Sequence, residues 1–418
     1  MTKLSHLAEN LKGSEIVKLG NEISARVHAG EKIYNYTIGD FDPKIFPIPG
    51  LMEQMIIDSY KEKNTNYPAA QGIIELRKSV SHFAKKWNNL DYDPSEILIA
   101  SGGRPLIYGV FAILVDEGDK VIYAVPSWNN NHYTYINKGI HCVIETTVEN
   151  NFMPTAAEVE PHLKDATLLC LCTPQNPTGT TLEKEELEKI CQLVVAENKK
   201  RGADEKKLYV MFDQMYFTLT YGKTKHYNPV SLMPEMKEFT IFISGISKAF
   251  AATGVRVGWS LGPEKVIAKM RSLLTHMGTW APMAEQKALS KFLLEDAYIS
   301  DYFSHFKAAL SERLEKIYDA FIKLRDKGFP VDAIIPQAAI YLTLKFDLKG
   351  KKINDRVLET QRDITSYILD EAKLAVVPFY AFGAEEHSPW YRLSVGTCKL
   401  EDLDGLFAQL EEALKKLK

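Results

Sequence analysis

One lysine in this sequence has neighbours that favour a chemical role over a solvent-exposed position. Lys248 follows a small-residue turn at 244–247, which comes directly after the apolar run 239–243. Small residues let the backbone approach a ligand closely. Arg256 follows at the head of a second apolar run. A lysine held among apolar neighbours and near another cation can lose its proton near neutral pH and form a Schiff base with an aldehyde.

The elements that must position this lysine begin near residue 95, where short apolar runs alternate with helical stretches. The candidate strands are 97–100, 121–124, 142–146, 168–173, 208–213, 240–244 and 255–261. Because most of these runs are apolar throughout, they are typical of a parallel sheet buried on both faces. Their alternation with helices predicts a doubly wound α/β domain, in which ligands bind beyond the carboxyl ends of the strands.

Four polar or small residues stand just beyond such strand ends, namely Gly102, Asn176, Asp213 and Lys248. Taken singly, Asp213 could cap a turn and Asn176 could form one. Gly102 and Gly103 open a candidate helix, where backbone N–H groups and the helix dipole favour a phosphate. We therefore expect one crevice that holds a lysine, a carboxylate and an anion site.

These motifs resemble the class I and II aminotransferases, the aspartate aminotransferase superfamily that uses pyridoxal 5′-phosphate (PLP). The shared patterns are Gly-x-Ser-Lys ending at Lys248, Thr-Gly-x-Arg-x-Gly ending at Gly258, Asn-Pro-Thr-Gly from Asn176, Asp-x-x-Tyr from Asp213 and Tyr-x-x-x-x-Gly-x-x-x-Leu-Arg from Tyr67. The resemblance spans nearly the whole chain. It implies the α/β fold of fold-type-I PLP transferases: a large domain with a mixed, mostly parallel seven-stranded sheet and helices on both faces, plus a smaller α+β domain.

The predicted domains are an N-terminal arm with part of the small domain at 1–47, a large PLP-binding domain at 48–295 and a small C-terminal domain at 296–418. Helical spacing predicts helices at 14–29 and 400–417. Residues 338–346, 374–377 and 392–396 are predicted to be strands of the small domain. A long helical region follows residue 261, with an interruption expected at 271–278.

The resemblance also assigns site residues. The catalytic residues are Lys248, Asp213 and Tyr216. The cofactor-binding residues are these three with Tyr67, Gly102, Gly103, Arg104, Trp128, Asn176, Ser247 and Arg256. The substrate-binding residues are Gly39, Arg104, Asn176 and Arg392. Tyr67 would reach in from a neighbouring subunit, which implies a homodimer with active sites at the subunit interface.

The implied roles follow from what PLP demands of a protein. Asp213 would keep the ring nitrogen protonated, while Asn176 and Tyr216 would hold the phenolic oxygen. Trp128 would stack on the ring. The glycine turn and Arg256 would bind the phosphate. Arg392, helped by the Gly39 backbone, would anchor the α-carboxylate of the substrate.

The expected activity is transfer of an amino group from an L-amino acid to a 2-oxo acid by a ping-pong mechanism, with the Lys248 amine as general acid and base. Arg104 stands where one subgroup has a lysine for the second substrate carboxylate, which favours aspartate or glutamate. Glu15, beside Ser14, would repel an acidic substrate if it faced the crevice. Trp280 leaves room for an aromatic or large apolar side chain. A PLP lyase, racemase or decarboxylase on the same scaffold is the main alternative.

The composition and the cysteine pattern argue against several other classes of protein. The chain has 418 residues, 45% of them hydrophobic, with a net charge of -3, which is typical of a two-domain globular protein and gives no reason to expect nucleic acid or an anionic membrane. Five cysteines without a Cys-x-x-Cys pair argue against a disulfide framework or a metal site. The N-terminus lacks the apolar core of a signal peptide, so a cytoplasmic protein is predicted.

Two further classes lack their signatures. A nicotinamide dehydrogenase would need Gly-x-Gly-x-x-Gly after a strand, and the sequence has none there. A PLP-dependent regulator would need a helix-turn-helix segment with a basic surface, and no such segment precedes Gly39.

Overall fold

The computed structural model describes residues 3–11 and 13–418; Met1, Thr2 and Lys12, which belong to the predicted N-terminal arm, lie outside the described residues. The helices are α1 His6–Asn10, α2 Glu15–His28, α3 Gly50–Lys61, α4 Ile74–Asn88, α5 Gly103–Leu114, α6 Asn130–Ile136, α7 Ala156–Val159, α8 Lys184–Lys200, α9 Pro229–Leu232, α10 Ile246–Ala249, α11 Glu264–Met277, α12 Met283–Phe292, α13 Asp296–Asp326, α14 Gln361–Ala372 and α15 Leu403–Lys415. The strands are β1 Tyr34–Asn35, β2 Ile97–Ala100, β3 Lys120–Val125, β4 Ile140–Glu145, β5 Ala166–Cys172, β6 Tyr209–Asp213, β7 Thr240–Gly245, β8 Gly258–Leu261, β9 Val331–Ala333, β10 Tyr341–Phe346, β11 Lys352–Ile353, β12 Arg356–Val357, β13 Leu374–Ala375, β14 Val377–Pro378 and β15 Trp390–Ser394.

A seven-stranded sheet in the order β2-β8-β7-β6-β5-β3-β4 organises the larger part of the described chain. Strands β3 to β7 pair in parallel, and β8 is antiparallel to both of its neighbours. Successive residues of one strand enter different cores: Leu168 packs in one hydrophobic cluster and Leu169 in another. Because both faces are covered, the strands must be apolar throughout. The prediction of a mixed, mostly parallel seven-stranded sheet is confirmed.

The carboxyl ends of β2, β5, β6 and β7 meet at one edge of this sheet. The chain leaves β2 into α5, which begins at Gly103, and it leaves β7 into α10, which carries Lys248. Asp213 is the last residue of β6. The residues predicted to surround a crevice therefore lie at the same edge of the large sheet.

Strand β8 is shorter than predicted, because it begins at Gly258 instead of residue 255. Residues 253–255 form a 3-10 turn, and Arg256 has a φ of 61°, in the left-handed region. Gly258 then passes so close to the start of α5 that a Cβ on it would lie 2.7 Å from the carbonyl carbon of Gly102. The valines at 255 and 257 are typical of a strand, so their pattern conceals this turn.

The predicted interruption at 271–278 is wrong. Helix α11 runs without a break to Met277, and Gly278 follows in the left-handed conformation, with a φ of 64°. Leu274 stays buried while Arg271 and Ser272 lie on the exposed face of the helix. A glycine just past the last helical residue is a common helix terminator.

A four-stranded antiparallel sheet, β14-β15-β10-β9, packs with the C-terminal helices around a separate hydrophobic cluster. Helix α13 connects the two parts, since Ile299 and Phe303 pack in the core of the large sheet and its residues from Phe306 onward pack in that of the small one. Strand β1 pairs in parallel with β13, which ties the N-terminal segment to the C-terminal part. The domain boundaries at 47/48 and 295/296 stay a prediction.

The described residues contain neither a membrane-spanning helix nor a cluster of metal ligands. None of the helices in residues 3–11 and 13–418 combines the length and apolarity needed to cross a bilayer. Over the same residues, no group of three or more His, Cys, Asp or Glu side chains could hold a metal ion.

Candidate active site

A cavity of about 420 Å³ lies at the carboxyl edge of the large sheet and is also lined by residues of the small sheet. It brings together most of the predicted site residues: Gly39, Gly103, Arg104, Trp128, Asn176, Asp213, Tyr216, Ser247, Lys248, Arg256 and Arg392. Of the predicted set, Gly102 and Tyr67 do not line it. The remaining lining residues are Ile16, Gly20, Thr37, Ile38, Asp40, Ile107, Met215, Thr253 and Tyr341.

Lys248 projects into this cavity from α10, and its ammonium donates a hydrogen bond to the backbone carbonyl of Gly39. Burial lowers the pKa of Lys248 from 10.5 to about 8; Asp40 opposes that shift, and the cavity arginines add to it. A substantial fraction of the amine is therefore neutral near pH 8, and a neutral amine is nucleophilic.

Asp213 lines the cavity floor, where the backbone N–H of Met215 donates to its carboxylate at 3.0 Å. Among the described residues it has no ion-pair partner within 4.0 Å. Burial raises the pKa of Asp213 from 3.8 to about 6, so the carboxylate is mostly charged above pH 6. A buried charge without a partner is costly, and a cationic group of a ligand would remove that cost.

We expect Asp213→Asn to stabilise the cofactor-free protein above pH 6 by about 1–3 kcal/mol. Because the pKa of Asp213 is about 6 in the folded state, against 3.8 ordinarily, the folded protein holds a proton between pH 4 and 6 that the unfolded chain releases. Wild-type stability therefore falls across this window and stays lower above it. Urea unfolding of both proteins at pH 4.5, 6 and 8 tests this, and a difference independent of pH would contradict it.

Arg392 is a buried guanidinium, 1% exposed, with no carboxylate of the described residues within 4.0 Å. Its Nη1 donates to Asn176 Oδ1 at 3.0 Å and its Nη2 to the carbonyl of Thr37 at 2.6 Å, while its Nε has no hydrogen-bond partner among the described residues. The guanidinium lies between the rings of Tyr341 and Phe382, at 4.7 and 4.9 Å from their centroids. A buried cation with unused donors is suited to bind a carboxylate.

Tyr341, which the sequence reasoning missed, is paired with Tyr216 by a hydrogen bond of 2.6 Å between their hydroxyls. Its hydroxyl also limits the space at Gly39, where a Cβ would lie 2.8 Å from it. Burial raises the pKa of both tyrosines, so both hydroxyls stay protonated. In the sequence the only signal was a tyrosine within the predicted strand 338–346.

The start of α5 and Arg256 come together at the cavity. Gly102 has a φ of 89°, a backbone conformation that favours glycine. A Cβ at this position would also collide with the Arg256 guanidinium, so the contact requires glycine as well. Arg256 donates to the carbonyls of Ser101 and Thr253 at 2.8 and 2.7 Å. Ser247 and Gly103 line the same space. Helix N-termini with an adjacent arginine are typical phosphate sites.

Arg104 also lines the cavity, and its guanidinium lies 5.2 Å from the Trp128 ring centroid. Glu15 does not line the cavity. Instead it pairs with Lys18 at 2.7 Å and lies 4.0 Å from Arg362. The repulsion of an acidic substrate that Glu15 would cause from inside the crevice therefore does not arise.

Tyr67 is not brought to the cavity. Its side chain is 80% exposed, and its ring packs edge-on against Trp280 with 5.2 Å between the centroids. Its expected role requires a second copy of the chain and stays a prediction.

The charges of the cavity favour an anionic ligand. Four cations line it, namely Arg104, Lys248, Arg256 and Arg392, against two carboxylates, Asp40 and Asp213. Within the described residues none of these four cations has an ion-pair partner closer than 4.0 Å. The arrangement fits a ligand with at least two separate anionic groups, one at the α5 terminus and one at Arg392.

Comparison with known proteins places the chain among enzymes of one family. The sequence pattern of the family described as aminotransferase class I and II matches residues 34–410. A probable aspartate/prephenate aminotransferase of Rickettsia felis is 29% identical over 97% of this chain and 93% of its own length. An aspartate aminotransferase of Bacillus sp. (strain YM-2) is 29% identical over 81% and 82% of the two chains.

The fold has solved counterparts as well. The crystal structure of the aspartate aminotransferase from Rhizobium meliloti superposes with a TM-score of 0.91 and covers 100% of both chains at 23% identity. That likeness establishes the shared fold, while the family follows from the sequence match over most of the chain. The chain therefore belongs to the class I and II aminotransferases and is an amino-group transferase.

Proposed function

We propose that this enzyme is a PLP-dependent aminotransferase that moves the amino group of an L-amino acid, with aspartate or glutamate as donor, to a 2-oxo acid. The observation that carries the proposal is Lys248, a buried amine whose pKa is lowered to about 8 at the centre of a cation-lined cavity. The family uses PLP, and two relatives are named for aspartate.

The cavity residues fit this cofactor. The unpaired carboxylate of Asp213 would face the ring nitrogen, Asn176 and Tyr216 the phenolic oxygen, and Trp128 the ring. The phosphate would lie at the anion site of Gly102, Gly103, Ser247 and Arg256, and Lys248 would carry the aldehyde carbon. When bound, PLP supplies an electron sink that stabilises negative charge at the substrate Cα.

The residues of the chain supply orientation and proton transfer. An amine whose pKa is about 8 can both hold and release a proton near neutral pH, which suits Lys248 to move the proton at the substrate Cα. Arg392 would hold the α-carboxylate and so fix which bond faces that amine. The hydrogen bond between Tyr216 and Tyr341 fixes the direction of the Tyr216 hydroxyl.

Product analysis of the holoenzyme tests the proposal against the lyase, racemase and decarboxylase alternatives. Given aspartate alone, an aminotransferase releases about one equivalent of oxo acid per subunit and then stops until a second oxo acid is added. A lyase or decarboxylase would release ammonia or carbon dioxide continuously from the amino acid alone, and a racemase would yield the D-amino acid. Any of these three results would refute the proposed reaction.

We expect Arg104→Ala to lower kcat/KM for aspartate and glutamate roughly tenfold more than for alanine, because a charged hydrogen bond to the distal carboxylate is lost. Arg104→Lys, which keeps the charge, should retain most of the preference. Steady-state kinetics with the three amino acids measure the effect. Equal losses for all three would remove the case for an acidic donor.

The proposal includes a homodimer in which Tyr67 of one subunit reaches the cofactor phosphate of the other, and it keeps the cytoplasmic location expected from the sequence. The exposure of Tyr67, at 80%, supports a role outside its own subunit. The domain division at 47/48 and 295/296 is part of the same proposal.

A further inference from the structure

A second cavity, of about 650 Å³, lies apart from the one that contains Lys248. Its walls come from the end of α4, the loop that follows β6 and the N-terminal half of α13. No residue lines both cavities. The aminotransferase reaction proposed above makes no use of this space, so its lining can be considered by itself.

Aromatic rings form one wall of the second cavity. Trp87 packs edge-on against Phe303, with 5.2 Å between the ring centroids, and both line the cavity together with Phe217. The buried ring of Phe83 supports this wall, since its centroid lies 6.3 Å from that of Trp87 and 6.1 Å from that of Phe217. A wall of rings favours a ligand that itself carries a ring.

The second cavity is also positively charged. Lys225 and Lys307 line it, whereas no Asp or Glu of the described residues does. His226 lines it as well but adds no charge near neutral pH, because burial lowers the pKa of His226 to about 3. The cavity therefore favours an anionic group over a neutral or cationic one.

Lys307 is the half-buried cation of this lining, and no carboxylate of the described residues lies within 4.0 Å of its ammonium. Burial lowers the pKa of Lys307, because its charged form is poorly solvated there. Other cations of α13 are paired, as Lys316 is with Glu312 at 2.8 Å. A carboxylate bound in the cavity would give Lys307 the partner that its own helix does not supply.

Two buried polar atoms on lining residues lack a hydrogen-bond partner among the described residues, namely Trp87 Nε1 and Thr218 Oγ1. An indole N–H can only donate a hydrogen bond, and a hydroxyl can also donate one. Because buried polar groups normally have partners, two such donors around one cavity indicate a ligand with acceptor oxygens.

Hydrogen bonds hold the polar wall of this cavity in place. Gln214 Oε1 accepts from Asn88 Nδ2 at 2.8 Å and from His226 Nε2 at 3.2 Å. Asn228 in turn donates to the Asn88 carbonyl at 2.9 Å and accepts from the Ser231 N–H at 2.8 Å. These bonds connect α4, the loop after β6 and the start of α9, so the cavity is preformed, which lowers the cost of binding a ligand.

We propose that the second cavity is a binding site for a small aromatic carboxylate, with the ring against Trp87 and Phe303 and the carboxylate paired with Lys307. The inference goes beyond the proposed reaction. Its test measures binding directly, so neither the inference nor the proposed function depends on the outcome for the other.

Isothermal titration with benzoate tests the site. Because benzoate can also pair with Arg392 in the other cavity, the titrations use the Arg392→Lys holoenzyme. Adding Lys307→Gln should raise the dissociation constant at least about tenfold, because a charged partner is lost, whereas Lys307→Arg should change it less than about threefold. Lys323→Gln, at an exposed lysine of α13 that lines neither cavity, is the matched control and should leave the affinity unchanged.

Two other probes test the chemical class of the ligand. Acetate, which lacks the ring, and benzyl alcohol, which lacks the charge, should each bind at least about tenfold more weakly than benzoate. Equal affinities for benzoate and acetate would indicate a non-specific anion site and overturn the inference. An affinity for benzoate that Lys307→Gln leaves unchanged, or no binding at about 10 mM, would overturn it as well.

Discussion

Lys248→Ala is expected to lower transamination by at least about 1,000-fold, because no other amine can take over its position. The nearest functional cations are arginines, which keep their protons and cannot serve as nucleophiles. Borohydride treatment of the wild-type holoenzyme should label a peptide containing residue 248, and the variant should yield no labelled peptide. Peptide mapping by mass spectrometry gives this readout independently of turnover.

The lysine Lys349 offers a control, since it is exposed on the turn after β10, away from the cavity. Lys349→Ala should keep wild-type turnover and labelling. If Lys248→Ala kept a tenth or more of the wild-type rate, Lys248 would not be the reactive amine. Labelling at another lysine in the wild type would move the cofactor site elsewhere.

Arg392→Lys is expected to lower kcat/KM for every amino acid donor roughly a hundredfold. The guanidinium holds Asn176 and the Thr37 carbonyl through two separate nitrogens and still has its Nε free. A lysine ammonium is a point donor and cannot maintain both contacts and bind a carboxylate in the same geometry. Because the α-carboxylate is common to all donors, the loss should be similar for aspartate, alanine and phenylalanine.

Arg313→Lys is a matched control for packing. Arg313 is partly buried and donates to the carbonyls of Cys398 and Ala309 at 2.8 and 2.7 Å, with the Phe46 ring centroid 4.9 Å away, but it does not line the cavity. This change should alter kcat/KM less than about threefold. If Arg392→Lys lowered only thermal stability and left kcat/KM unchanged, Arg392 would be a structural residue and the substrate anchor would lie elsewhere.

The sequence allowed the centre of the site to be predicted because local pattern and topology agree there. Apolar strands buried on both faces are typical of parallel sheets, and the carboxyl ends of parallel strands meet at one edge. That rule alone brings Asn176, Asp213 and Lys248 together. The Gly-Gly start of α5 could be placed beside them for the same reason.

What could not be predicted depends on contacts between segments far apart in the chain. The Tyr216–Tyr341 bond requires the small sheet to lie against the end of β6, which no local pattern reports. Arg256 takes the left-handed conformation beside the close approach of Gly258 to Gly102, which is also a contact between distant segments.

The pairing of β1 with β13 affects the order in which the chain can fold during synthesis. Tyr34–Asn35 joins Leu374–Ala375, and the N–H of Ser394 donates to the Tyr36 carbonyl at 2.9 Å. A ribosome delivers the N-terminus first. The stretch that carries Gly39 must therefore wait, without its strand partner, until Leu374–Ala375 has emerged. All strands of the large sheet lie within residues 97–261, so a nascent chain holds Lys248 well before it holds Tyr341 and Arg392, which line the same cavity.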